Sequence, residues 1–413
     1  MHIIQAPLFD FDSFIRKKCN DRLIVALSAL PAERLLSALE REHRTGRKGS
    51  SVRGMWSALI AGVLSQADSL SGVIRLLERD KDTRLVCGFS IDNIPSHDAF
   101  GRFLKKLVKH GELIDECFSE LVREARELLP GFGDKLAVDA TDIKAYSSGH
   151  RKTPSDPDAR WGAKGSGHHS GPSGKDKKPD LYYWFGYKLH LVVDALYELP
   201  VAFEVTPANE SDSTHMEPLL KRAGADKDET RPVAVMADKG YDSGANNRFI
   251  FNECRAMPII PIREVKGMQM PDICNAKGTP LCRCGLEMAY WGRDGKYLKY
   301  RCPDVVGKAQ CQARFQCTAS PYGYVLKLPI ADDPRRHPPI PRESQKWGRL
   351  YRLRASVERV NSRLKEQLGL GHLTLRGLAK ATLRSALSLL VMLAAAVGMA
   401  RRNRLSELRL LVT

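Results

Sequence analysis

Residues Pro232–Ser243 read PVAVMADKGYDS. An apolar run, Val233 to Ala237, is stopped by an acid and then by a glycine turn. A short apolar run bounded by a turn signal reads as a strand buried on both faces. Asp238 then falls at the C-terminal edge of a sheet, where open α/β sheets gather their ligand sites. An acid ending a buried strand is costly to desolvate unless something pairs with it. Asp238 is therefore either a turn cap or part of a site, and Asp242 is its close rival.

The neighbouring texture agrees with a sheet. KLAVDATDIKAYS, from Lys135, reads as a strand that presents Asp139, with Asp142 as the rival acid. YKLHLVVDA and LPVAFEVTPA read as a hairpin, STHMEPLLKRAG as a polar helix, SGANNRFIFNE as a helix and AMPIIPI as a strand. Strand, strand, strand, helix, strand, helix, strand makes a mixed α/β domain. Between its first two strands lies a Gly-, Ser-, Lys- and His-rich basic loop, Ser148 to Asp180. There His168 and His169 are better read as solvated than as a ligand pair.

Upstream, residues 1 to about 130 have apolar residues at helical spacing. In IPSHDAFGRFLKKLVKH, Ser96 is a cap, Phe100, Phe103, Leu104 and Leu107 form a stripe, and Lys105, Lys106 and Lys109 crowd the other side. A plain helical bundle and a helix-turn-helix reading are both open there.

The 413 residues carry a net charge of +17, with 43% hydrophobic and 27% charged residues. That composition is soluble and globular, and the surplus suggests a polyanionic partner, nucleic acid first. From Lys346 to Thr413 there are 14 Lys and Arg against three Glu. The longest apolar stretch, Ser385–Ala400, is shorter than the roughly 20 residues a bilayer needs, so it reads as a buried helix and no membrane partner is expected. The N-terminus lacks the pattern of a signal peptide. Cytoplasmic location and reduced cysteines are the expectation.

Six of the ten cysteines lie between Arg263 and Gln345, where the α/β pattern breaks. Cys282-x-Cys284-Gly, Cys302-Pro and Cys311, around the β-like YLKYR, suit a small zinc-ribbon-like unit with a structural Zn²⁺. Cys274 and Cys317 flank it. The alternative is a set of reduced structural thiols.

YRLRASVERVNSRLKEQLGL, Tyr351–Leu370, reads as one helix. At about 100° per residue, Tyr351, Arg354, Glu358 and Lys365 share a sector of about 60°. Leu353, Val357, Val360, Leu364 and Leu368 form the core face, and Arg352, Arg359 and Arg363 an outward face. Glu358 has no cation at i+4, where Ser362 sits, so ion pairing within the helix explains it poorly.

Tyr-x2-Arg-x3-Glu-x6-Lys resembles the signature around the third acid in one large group of bacterial insertion-sequence DDE transposases. VDATDIKAYSS resembles that family's first-acid strand, ADKGYDS its second-acid strand, and GLAKATLRSALSLLVMLAAAVGMAR its C-terminal helix. DPDARWGAKG leading to YWFGYKLHLVVDA resembles its following hairpin, and LPVAFEVTPANESDS the next stretch. A Cys-bearing insertion before the third acid occurs in one branch. The resemblance implies a ribonuclease-H-like catalytic domain with a mixed five-stranded sheet. Asp139, Asp238 and Glu358 would take the DDE roles and hold two Mg²⁺ (or Mn²⁺) ions. It implies DNA contacts by Tyr351, Arg354 and Lys365, with Arg359, Lys239, Lys188 and His190 as further candidates. The partners would be terminal inverted repeats and target DNA, bound as a homodimer. The expected division is 1–130 helical and DNA-binding, 131–265 catalytic, 266–345 Cys-rich, and 346–413 catalytic with basic helices. Two other classes compete: a non-catalytic, zinc-stabilised DNA-binding protein, and a nuclease of the same fold without strand transfer.

Overall fold

The computed structural model describes residues 21–42, 49–165, 181–263, 274–275, 278–330, 333–371 and 373–410. His168 and His169 lie outside that set.

The N-terminal part is helical: α1 (21–29), α2 (Glu33–Arg41), α3 (Val52–Leu64), α4 (Leu70–Arg79), α5 (Lys81–Val86), α6 (His97–Lys109) and α7 (Gly111–Leu128). Short polar side chains fix several starts. Ser51 accepts from Gly54 N, Ser69 from Gly72 N, Asp80 from Thr83 N and Ser96 from Ala99 N, each worth roughly 1 kcal/mol. The stripe expected on Phe100, Phe103, Leu104 and Leu107 is the buried face of α6.

The sheet contains β1 (Lys135–Lys144), β2 (Arg160–Gly165), β3 (Leu181–Asp194), β4 (Leu199–Pro207), β5 (Ala234–Ala237) and β6 (Met257–Ile259). α8 (Met216–Arg222) connects β4 to β5, and α9 (Gly244–Arg248), extended by a π turn, connects β5 to β6. The main path runs β4-β3-β1-β5-β6. β3 is antiparallel to β1 and β4, whereas β1, β5 and β6 run parallel. The five-stranded expectation needs one correction: β2 is a sixth strand, antiparallel to the outer part of β3 from Leu181 to Gly186. RWGAKG, with two glycines and no clean alternation, hid its period-2 signal. At Gly186 the chains approach so closely that a Cβ would collide with Ile143 O and lie 2.7 Å from Ala145 N.

The insertion is a second, three-stranded sheet, β7 (Ala289–Asp294), β8 (Tyr297–Arg301) and β9 (Val325–Pro329), with α10 (Arg314–Cys317) in the β8–β9 connection. Its own small core holds Cys282, Met288, Leu298, Tyr300, Leu328 and Ile330.

The helix expected over Tyr351–Leu370 is not continuous. α11 (Gln345–Arg352) and α12 (Ala355–Ser362) are separated by a turn at Leu353–Arg354, and a π turn spans Arg363–Gln367. α12 packs on β1 and β3, and α11 on β5 and β6. Finally α13 (Leu378–Arg401) packs against α7, β4, α3 and α6. At 24 residues it is long enough to cross a membrane, so the length argument from Ser385–Ala400 does not stand. What marks it as a core helix is burial: 89% of its most apolar window is inside the fold. One contiguous core runs from Val25 and Trp56 through Val138 to Leu389.

Candidate active site

β1 and β5 pair in parallel with Val138 opposite Ala237. The next residue on each, Asp139 and Asp238, therefore sits side by side where that pairing stops, Asp139 midway along β1 and Asp238 just past β5. Asp139 is half-buried. Burial pushes its carboxyl up to about 6, the Lys164 ammonium and the Ala140 N–H oppose the rise, and the charge of Asp238 adds to it. Asp238 accepts from Gly240 N at 2.8 Å and so caps the turn Lys239–Tyr241. The turn role offered by the sequence is thus the one observed, and it leaves Asp238 beside Asp139.

Beneath this pair lies Tyr241, a residue the sequence reading passed over. Its ring is buried, its hydroxyl has no hydrogen-bond partner, and burial together with the charges of Asp139, Asp212 and Asp238 holds the phenol well above its usual range. Lys164 of β2 was also missed, because the glycines on either side leave no alternation to say which way it points. Tyr241 left only a weak signal, a large ring three residues after Asp238.

Glu358 stands on α12 with its side chain half exposed. Arg354 Nη2 donates to its Oε1 at 2.6 Å. The partner is at i−4, which corrects the reading that ion pairing explains Glu358 poorly: the sequence search looked only toward i+4. The Arg354 guanidinium lies 5.8 Å from the Tyr351 ring centroid, and Tyr351 stacks on Trp347 at 4.8 Å. The charges of Asp238 and Glu358 both reach Tyr351, and that of Arg354 reaches Asp139. Tyr351 and Arg354 thus lie within electrostatic reach of the two acids, and Arg354 holds Glu358.

The rivals separate cleanly. Asp242 is buried and saturated by the Arg335 guanidinium (2.8 to 3.1 Å), Asn247 Nδ2 and Arg263 N, which is a structural role. Asp142 accepts from Lys365 Nζ at 2.8 Å, so Lys365 ties the π turn to β1 instead of reaching outward. Among the other candidate DNA contacts, Lys239 is exposed beside Asp238. Lys188 donates to Asp212 and to Glu210 O. His190 is fully buried, bonded to Thr206 and stacked on His215, so it cannot touch DNA. It lies on β3 between β1 and β4, with the His215 ring over its own. Arg359 pairs with Glu198, as do Arg363 and Arg409. Arg363 is buried rather than outward, because the π turn and Glu198 draw it in.

In the insertion, Cys284 is exposed and hydrogen-bonds the Cys311 thiol, with Cys282 and Cys317 also acting on it. Cys302 is buried. The described cysteines are free thiols. Among the described residues no three His, Cys, Asp or Glu side chains are placed together to hold a metal. Asp139 and Asp238 nonetheless suit a divalent cation. They are hard oxygen donors, mutually repelling, and one is forced toward its neutral form by burial. Glu358 would join them only on release from Arg354.

The family model described as the transposase DDE domain matches residues 130–394, and one described as a transposase domain (DUF772) matches residues 9–106. The chain belongs to the DDE-domain transposase family. Its mixed sheet fits the ribonuclease-H-like fold of that family. Among solved structures, a cryo-EM structure of the piggyBac transposase synaptic complex with hairpin DNA aligns over 95% of this chain and 79% of that one. The identity is 10% and the TM-score 0.40, a likeness too distant to bear on the site. No curated protein matches.

Proposed function

We propose that this transposase cleaves DNA at transposon ends and joins them to target DNA by cut-and-paste transposition. The observation that carries the reading is the adjacency of Asp139 and Asp238 where the β1–β5 pairing stops, with the Arg354 that holds Glu358 acting on Asp139. Those three carboxylates would hold Mg²⁺ or Mn²⁺, most naturally two ions, which when bound lower the pKa of water and stabilise a leaving 3′ oxygen. Asp139 and Asp238 supply a fixed negative edge. Arg354, on leaving Glu358, would bind a phosphate oxygen next to the cut. Tyr351 offers a ring face beside it, and Lys239 a second cation. Lys365 positions the helix through Asp142 instead of gripping the strand.

The same reading takes in several further points: the Tyr-Arg-Glu-Lys group, the domain limits 1–130, 131–265, 266–345 and 346–413, a homodimer on DNA ends, and a nucleoid location in a bacterial cytoplasm. Structural zinc on the insertion is supported by the Cys284–Cys311 contact and the nearby Cys282 and Cys317. About one zinc per chain by elemental analysis, lost in Cys284→Ser, is its expected signature.

The test is Glu358→Gln. It should bind inverted-repeat duplex as the parent does and fail to nick it with Mg²⁺. Unimpaired nicking would remove Glu358 from the chemistry. Recovery of joined donor–target product separates a transposase from a nuclease of the same fold.

A further inference from the structure

A groove of about 670 Å³ lies where the helical part meets the sheet. Arg102 and Lys105 of α6, Lys380 of α13, Gly101 and Tyr146 are among the residues that line it. None of the three cations has an ion pair among the described residues, although Asp68 and Asp98 also line the groove. Three unpaired cations on two facing helices, around an open cavity, fit a chain of phosphates better than a single small anion. Tyr146 connects this groove to the site already described. It lies two residues past β1, and its ring packs under the Arg376 guanidinium at 5.2 Å while its carbonyl accepts from Arg376 Nε. From Asp139 to Tyr146 is seven residues of nearly extended chain, about 20 Å. A DNA strand advances about 3.4 Å per nucleotide.

We propose that this groove seats the sugar-phosphate backbone of duplex DNA about six nucleotides from the scissile phosphate. The inference rests on the DNA-cleavage reading above and adds where the duplex runs after leaving the acids. α6 would then face DNA with its Arg102–Lys105 side and the core with its Phe100–Leu107 stripe.

Gly101 makes the test sharp. A Cβ there meets nothing within 4 Å, so Gly101→Glu and Gly101→Lys both fit and both replace a helical glycine. Binding of a fluorescent end duplex is measured by anisotropy over a series of salt concentrations, with thermal melting as the check on folding. Gly101→Glu should weaken binding at least about tenfold and Gly101→Lys should not. The combined Arg102→Ala, Lys105→Ala, Lys380→Ala variant should flatten the log–log salt slope by about two to three. Uncharged methylphosphonate linkages about six nucleotides from the cut should reproduce that loss for the wild type. Placing them on the transposon side or on the flank tells which arm lies in the groove. Unchanged affinity and slope in the folded variants overturns the proposal. A wild type that binds no duplex at all overturns the DNA reading itself.

Discussion

Asp139 shows what a half-buried carboxylate costs the fold. Its folded pKa, about 6, lies above the ordinary carboxylate value near 3.9. Between those values the folded state holds more protons than the unfolded one, so stability falls as pH rises through that window and stays lower at pH 7. Asp139→Asn should therefore stabilise the metal-free protein by about 1–3 kcal/mol at pH 7 while abolishing nicking. Denaturant melts without divalent cations check this, and a destabilised variant would make Asp139 a structural acid. His190 has the opposite sign. Burial, then the facing His215, pushes its pKa down to about 4, with Lys188 pushing the same way and Asp212 opposing. The neutral imidazole contributes stability above about pH 6.5 that is lost as pH falls toward 4, on the order of 2–3 kcal/mol. A His190→Gln variant should show a flatter acid-unfolding profile over that range.

At the level of elements, the strands of the main path and the buried face of α6 were legible because period and punctuation agreed. Val233–Ala237 ends at Asp238 as its pattern said, and Phe100 to Leu107 is buried as spaced. β2 was legible only through the hairpin that DPDARWGAKG resembles, because its glycines erase alternation. The face geometry of Tyr351–Leu370 was only half legible. Val357, Val360, Leu364 and Leu368 are buried as unrolled, but the turn at Leu353–Arg354 and the π turn redirect Lys365 to Asp142 and Arg363 to Glu198. A uniform 100° step cannot anticipate either break. His190 is lost under His215, and Lys188 is tied to Asp212, because period 2 says which residues share a face, not which element will pack on it. Gly186 offers a test at this scale. Gly186→Ala places a methyl against Ile143 O and should part β1 from β3, costing at least about 3 kcal/mol. Loss of melting temperature reads it, and a wild-type melt would mean that the strands separate without penalty.

Across the whole molecule, the helical part and the catalytic sheet share one core, while the insertion keeps its own. Three tryptophans report the difference: Trp56 and Trp184 are buried in the first two, and Trp291 is half exposed on the insertion. Single-tryptophan variants should give coincident unfolding midpoints for Trp56 and Trp184. The Trp291 signal should change separately, and chelators should move only that one if zinc holds the insertion. A split between Trp56 and Trp184 would mean that the helical part folds by itself.

The position of α13 has a consequence for synthesis. It follows every strand it packs on, and it fills the centre of the shared core with Leu387, Leu389, Leu390 and Leu393. While the ribosome is still translating the sheet, neither the bundle nor the acid pair has its interior support. A chain ending before Leu378 should therefore lack a cooperative melt, because its strands and helices have no common interior.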